Sequence, residues 1–372
     1  MIGKMSVTTE AEVQEVVRVA QRALRPVGGG TRGLVGGGSA LDCTGLAGVR
    51  IYEPGALTLV AGAGTLLAEV EALLAGQRQR LAFDVPDMRG LLGRGGVSTL
   101  GGVVAANAAG PRRVQVGACR DHVLGLRLVD GRGDAIQMGG RVMKNVTGLD
   151  LAKLVCGSQG RLGVITEVAL KLQALPEAEV TLQSAGRDLV AGLALLRAAL
   201  ASPYDVSGAA YAEGAACLRI EGMAGSVAYR AAAVQALLGG DWQVLAGDAS
   251  RDLWRGLRDV SDFAGRPGAV WRLSVKPSDG AGVAQALAGV AHRMIHDWGG
   301  GLVWVLVDAP DGAADLLRGL VAGRGHATLI RALPGMAHVP VFQPEPPGVA
   351  ALTRGIVAQF DPRGIFATGG PI

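Results

Sequence analysis

Three glycines spaced three apart, Gly157, Gly160 and Gly163, run directly into Val164 to Leu172, a stretch that alternates with period two and carries β-branched residues. Glycine loops that hold phosphates usually open a helix, whose N-terminus then faces the anion. This loop opens a strand. That ordering constrains the fold more than any other feature of the 372 residues.

Glycine is abundant throughout, 59 residues in all, roughly twice the usual share of about 7%. A single glycine motif is therefore weak evidence here. With 49% apolar residues and a mean hydropathy of +0.33, the chain has ample material for a core and is not a disordered protein. Only 4% of residues are aromatic, so aliphatic packing must fill that core. The length suits two or three domains.

Net charge is +4, but Lys and Arg are scattered, with no run beyond Arg112-Arg113 and no interleaved aromatics. That pattern argues against nucleic acid. The longest stretch without a formal charge, Gly95 to Pro111, is short of a membrane span, and Glu10, Glu12 and Glu15 stand where a signal peptide needs an apolar run. A cytoplasmic location is expected. Cys43, Cys119, Cys156 and Cys217 lie far apart with no C-x-x-C pair, and are read as reduced thiols that build neither a zinc nor an iron–sulfur site alone.

Along the chain, Thr9 to Leu24 carries helical apolar spacing. A glycine-rich turn follows it, then a strand, turn and helix (LTLVAGAGTLLAEVEALLAGQ) and a small-residue turn leading into a short helix (STLGGVVAANAAG). A hairpin turning at Asp130-Gly131 and the strand after Gly163 close the first unit near Pro176. From Glu179 the order becomes β-α-β-β-α-β, with helices Asp188 to Leu200 and Ser226 to Leu238, as in a ferredoxin-like sheet. A similar alternation follows, with helices Asp252 to Phe263, Gly282 to Trp298 and Ala313 to Val321, which suggests a pseudo-repeat. The division is 1–177, 178–335, and a closing segment 336–372 too short to fold alone.

Gly28-Gly29-Gly30-Thr31-Arg32-Gly33 satisfies G-x-G-x-x-G, and Glu53 lies twenty residues on. Yet no helix follows the loop and Glu53 precedes Pro54-Gly55, so the context is not a Rossmann one. Two readings stand: a nest of backbone N–H groups for phosphate, or a plain glycine turn. Three such turns, Gly28 to Gly33, Thr99 to Gly110 and Gly157 to Gly163, each lie at a strand boundary. Converging, they would line a long phosphate-bearing cofactor by close backbone approach.

The segments GGGTRGLVGGG, TLGGVVAANAAGPRR, RDHVLGLRLVDGRGD and KNVTGLDLAKLVCGSQGRLGVITEVALKL resemble the FAD-binding domain of the vanillyl-alcohol-oxidase, or PCMH-type, flavoprotein family. More narrowly, AGPRR, VMKNVTGLDL, HDWGG, GHATLIR and FDPRGIF are similar to the FAD-binding subunits of glycolate oxidases. The resemblance implies an α+β protein: a two-part PCMH-type FAD-binding domain, a ferredoxin-like α+β cap, and a C-terminal segment returning to the first domain. It places the pyrophosphate of FAD at Gly28, Gly29, Gly30, Thr31, Arg32 and Gly33. Thr99, Leu100, Gly101, Gly102 and Ala106 would lie along the ribityl chain and ring, and Gly163 with Val164 at the adenine end.

Departures from the family matter too. Thr31 stands where members with covalent flavin often carry His, so the flavin is expected to be non-covalent. The histidine and acid metal motif and the C-terminal Asn-Pro-Gly of self-sufficient D-2-hydroxy acid dehydrogenases are absent. His292 and His296 are read as one turn apart on a helix, without a third ligand, so no metal is expected. Oxidation of a 2-hydroxy acid needs a cation for the carboxylate and a base at the hydroxyl. Arg113 and Arg331 are candidates for the first, because Arg binds carboxylates bidentately. His326, His122 and His338 are candidates for the second. Arg331 and His326 would point to opposite faces of one strand unless a bulge intervenes.

The resemblance implies an FAD-bearing subunit of a glycolate oxidase. Its partners would be a larger FAD-dependent subunit and an iron–sulfur subunit that passes electrons to quinone, and the complex would meet the inner membrane only peripherally. The alternatives are an assembly subunit without redox function and a stand-alone D-2-hydroxy acid dehydrogenase.

Overall fold

The computed structural model describes residues 5–32, 35–141, 149–308, 312–367 and 369–370. Gly33 lies outside them. The first helix, Glu10–Val19, shows how local chemistry sets the elements: Thr9 Oγ1 accepts from Glu12 N, the Glu12 carboxylate accepts from Thr9 N, and Val13 and Val17 are buried.

Two sheets build the first unit. Met5–Ser6, Ser39–Asp42 and Leu24–Val27 form a small parallel sheet. The second runs Val49–Glu53, Thr58–Gly62, Val164–Ala174, Val123–Val129, Ala135–Gly139, all antiparallel. The strand opened by the glycine loop is thus central, and Leu170 and Leu172 are sealed in the core beside Leu59, Val70 and Leu128. Gly163 enters it at φ +150°, where a Cβ would lie 2.5 Å from the Val129 carbonyl oxygen, so only glycine fits.

The second sheet system has eight strands in the order Gln243–Ala246, Ala178–Ala185, Ala215–Gly222, Gly208–Ala212, Ala291–Asp297, Leu302–Val307, Ala269–Ser274, His326–Arg331. It is two β-α-β-β-α-β units joined edge to edge, antiparallel, where Tyr211 pairs with His296. Their helices cover one face: Leu189–Leu200 and Ala224–Leu238 pack on Leu182 and Leu218, and Gly280–Ala286 and Ala313–Val321 on Trp271 and Leu273.

The expected helix Gly282 to Trp298 is a correction. A helix spans only Gly280–Ala286, and Ala291–Asp297 is a strand paired with Leu302–Val307. Hairpin pairing overrides the helical periodicity of this Ala-rich stretch, as tertiary context often does. The change completes the second β-α-β-β-α-β unit. It also removes the helical His292 and His296 pair, since both belong to the strand. The helix read as Asp252 to Phe263 is Asp248–Arg258 followed by a single turn Ser261–Phe263, broken at Val260, whose φ is +52°.

The closing segment returns to the first unit. Ile356, Val357 and Phe360 of helix Pro347–Phe360 pack on its core, and Ile365 and Phe366 join Val7, Val17 and Leu24. Buried Asp361 fixes this turn by accepting from the amides of Ile365 and Phe366 at 3.0 and 2.8 Å.

Candidate functional site

The three glycine turns meet around one cleft of about 440 Å³. Gly28, Gly29, Gly30, Thr31 and Arg32 wall it from the end of strand Leu24–Val27. Thr99, Gly101, Gly102 and Ala106 wall it from the short helix Leu100–Ala105, and Gly163 and Val164 from the start of the central strand. Leu100 is not among the lining residues: its side chain is fully buried in the core, and its amide donates to Thr65 O.

Close backbone approach is visible at the loop. A Cβ on Gly29 would lie 1.4 Å from the carbonyl oxygen of Val97, and one on Gly96 would lie 2.1 Å from Gly29 O. Gly30, at φ +69°, has nothing within 4 Å of that position and faces open space. Thr99 caps the helix by accepting from Gly102 N, and Arg32 donates to Ser98 Oγ at 2.7 Å.

Among the described residues, three arginines, Arg25, Arg32 and Arg94, line the cleft, and no carboxylate does. Sequence reasoning missed Arg25 and Arg94, since scattered arginines carry no motif. The Nε atoms of Arg25 and Arg32 are buried without a hydrogen-bond partner among the described residues, and burial lowers the Arg32 pKa. Buried donors without acceptors, set in a glycine-walled groove, suit a ligand carrying anionic oxygens, as the pyrophosphate of FAD does.

A second cavity of about 410 Å³ lies between the Gly157 to Leu162 loop, the strand His326–Arg331 and the closing helix. Ser158, Arg161, His326, Thr328 and Phe342 are among its walls. Gln159 lines both cavities and sits at φ +56°, a left-handed conformation that is strained for this residue.

The other candidates separate. Arg331 donates to four carbonyls, those of Gly268, Leu91, Phe263 and Arg266, at 2.7–3.2 Å, which leaves it no donor set for a carboxylate. A register shift between Val270 and Trp271 places Arg331, like His326, on the face toward the first unit, so the expected opposition of the two is corrected by that bulge. His122 stacks on Phe83 with Nε2 2.8 Å from Val116 O, and His338 Nδ1 is 3.0 Å from Gly335 O in an exposed turn. Arg113 sits over the Trp298 ring, 4.7 Å from its centroid, and Arg272 over the same ring at 5.1 Å. Arg272 and Trp298 were not singled out in the sequence. The available signal was an arginine set inside the otherwise apolar strand Ala269–Ser274.

Fold, cleft and donor set define a flavoprotein, with FAD as the cofactor. Residues 3–139 match the family model described as FAD binding domain. The chain is 34% identical over 335 residues to glycolate oxidase subunit GlcE of Escherichia coli (strain K12), covering 89% of this chain and 87% of that relative. A shorter match, 44% over 86 residues, is to glycolate oxidase subunit GlcD of Bacillus subtilis (strain 168), covering 23% of this chain and 18% of that one. The fold is similar to that of alkyldihydroxyacetonephosphate synthase, with TM-score 0.68, 16% identity, and 97% of this chain and 76% of that chain covered. The chain belongs to the PCMH-type family of FAD-binding oxidoreductases, on the branch that includes the glycolate oxidase subunit GlcE.

Proposed function

We propose that this chain is the FAD-binding subunit of a glycolate oxidase, acting in the oxidation of glycolate, a small 2-hydroxy acid, to glyoxylate. The observation that carries the reading is the agreement of two independent facts: near full-length similarity to GlcE, and a cleft walled by the glycine turns named above. FAD, when bound, supplies the hydride acceptor. The chain's own residues hold it: Gly28 to Gly30, Thr31 and Arg32 at the pyrophosphate, Thr99, Gly101, Gly102 and Ala106 along the ribityl chain, Gly163 and Val164 at the adenine end. Thr31 offers no imidazole for a covalent link, so the flavin is held non-covalently. The division into 1–177, 178–335 and 336–372 goes with this reading.

The name of GlcD supports a partner flavoprotein subunit. An iron–sulfur subunit passing electrons to a quinone completes the proposal. All four cysteines of this chain are buried thiols, and no cluster of three or more metal-ligating side chains occurs among the described residues. No helix among them is long and apolar enough to cross a membrane.

The test is the visible spectrum of the chain, alone and co-expressed with its partners, before and after anaerobic glycolate. Flavin bands that bleach only in the complex support the proposal. Bleaching in the isolated chain would instead indicate a stand-alone dehydrogenase, and a colourless chain in both preparations an assembly subunit.

A further inference from the structure

Arginines at the seam between the two units fall into two kinds. Arg112 donates to Glu221, Ala82 O and Gln173, and Arg331 donates to four carbonyls. Every nitrogen of both guanidinium groups donates at least one hydrogen bond, as in structural arginines. The guanidinium groups of Arg113 and Arg272 make no hydrogen bond and no ion pair among the described residues, and each stacks over the ring of Trp298.

Two cations on one indole are costly to enclose, and the carboxylate whose charge reaches Arg272, that of Asp297, is itself buried, with its pKa pushed up by burial to about 7. Arg272 is surrounded by protein while keeping part of its surface open to solvent, and this burial, with the Arg113 charge added, brings its pKa down to about 10. The same two arginines, after burial itself, depress the pKa of His326. Trp298 is held in place at a cost. Its φ is +55°, a left-handed conformation rare for a large residue, and its Nε1 donates to Gly110 O of the first unit at 3.1 Å.

The position is informative. Arg272 pairs across the sheet with Thr328, and Ser274 with His326, on the face turned away from the covering helices. Thr328 and His326 are the cap-side wall of the second cavity, whose opposite wall shares Gln159 with the cofactor cleft. Arg272 thus stands directly across the sheet from Thr328, a wall residue of a cavity that adjoins the flavin site, while neither arginine lines that cavity itself.

We infer that Arg272 and Arg113, braced on Trp298, form the binding site for the carboxylate of the substrate, a small 2-hydroxy monocarboxylate entering through the cavity bounded by Thr328 and His326. The inference rests on the 2-hydroxy acid reading above and adds to it the residues that select the acid. A carboxylate shared by two guanidinium groups gives them the acceptors they lack and fixes the acid's orientation.

The test is a calorimetric titration of the FAD-loaded complex with oxalate, a two-carbon anion that cannot be oxidised at a hydroxyl carbon. The wild type and Arg272→Ala, Arg272→Lys, Arg113→Ala and Trp298→Phe are compared, with flavin content and unfolding temperature measured on each. We expect Arg272→Ala to weaken oxalate at least tenfold at unchanged flavin content, Arg272→Lys to recover part of the loss, and millimolar guanidinium ion to restore binding to Arg272→Ala. If Arg272→Ala does not fold, Arg113→Ala and Trp298→Phe carry the same expectation. Unchanged oxalate affinity in folded variants overturns the inference, as does a loss that only follows the loss of flavin. The two readings fail separately. A wild-type complex that binds oxalate but is not reduced by glycolate sinks the oxidase proposal alone. One reduced by glycolate, whose arginine variants keep KM and oxalate affinity, sinks this inference alone.

Discussion

Arg112 of the first unit donates from Nε to Glu221 of the cap at 3.1 Å, with only 2% and 4% of the two side chains exposed. Arg80 and Arg219 reach the same carboxylate at 2.7 and 3.5 Å. Burial alone would raise the Glu221 pKa, but the charges of Arg219, Arg112 and Arg80 outweigh it and bring it to about 2. The cluster ties the two units together at the seam where the proposed substrate site lies.

Removing the carboxylate leaves three guanidinium groups around an empty acceptor. Glu221→Ala is expected to destabilise by about 3–5 kcal/mol, the range for breaking a buried ion pair. The folded pKa is depressed, so the stabilisation is fully present above the unfolded value of 4.5 and is lost as pH falls from there toward 2. Urea midpoints at pH 7 and pH 3.5 measure both. A midpoint difference between wild type and variant that does not shrink at pH 3.5 would contradict the assignment.

The glycine loop offers a paired test. Gly29→Ala drives a Cβ into the Val97 carbonyl, so we expect the loop to open and the protein to lose FAD and several degrees of unfolding temperature. Gly30→Ala meets nothing in the protein and costs about 1–2 kcal/mol through its positive φ. Its methyl group projects into open space at the cleft, so the flavin content after dialysis should fall while the fold persists. Wild-type flavin retention in Gly30→Ala would remove this loop from the cofactor site.

These contrasts show what the sequence could carry. The turn-to-strand order at Gly163, the three glycine turns and the first β-α-β-β-α-β unit were legible, because each rests on local backbone chemistry or periodicity. The strand Ala291–Asp297 was not, because its pairing with Leu302–Val307 is set by the whole sheet. Nor were the roles of the arginines. Arg331, with four carbonyl partners, and Arg272, with one indole, look alike in a sequence, since the difference lies in what the other unit brings to each.

His296 is 2% exposed, neither ring nitrogen has a hydrogen-bond partner among the described residues, and burial brings its pKa down to about 4. The unfolded chain takes up this proton near pH 6.5 and the folded chain near 4, so acid between those values favours unfolding. His296→Leu deletes that proton. Its unfolding temperature should equal or exceed the wild type at pH 7.5, and the gap in its favour should widen at pH 5. Parallel pH profiles would show that His296 does not titrate in this window.

Arg331 provides the counterpart to Arg272. Its hydrogen bonds pin Leu91 of the first unit to Phe263, Arg266 and Gly268 of the cap, so its loss should be read in stability rather than in substrate affinity. Arg331→Ala leaves four carbonyls without this donor and should lower the urea midpoint most. Arg331→Lys keeps the charge but not the planar fork, and should fall between. Oxalate affinity per flavin-loaded complex should stay within about twofold in both, because four of the five N–H donors of this guanidinium are engaged and no bidentate pair is left for a ligand. A tenfold loss of oxalate affinity at an unchanged midpoint would reverse the assignment and return Arg331 to the role of carboxylate anchor.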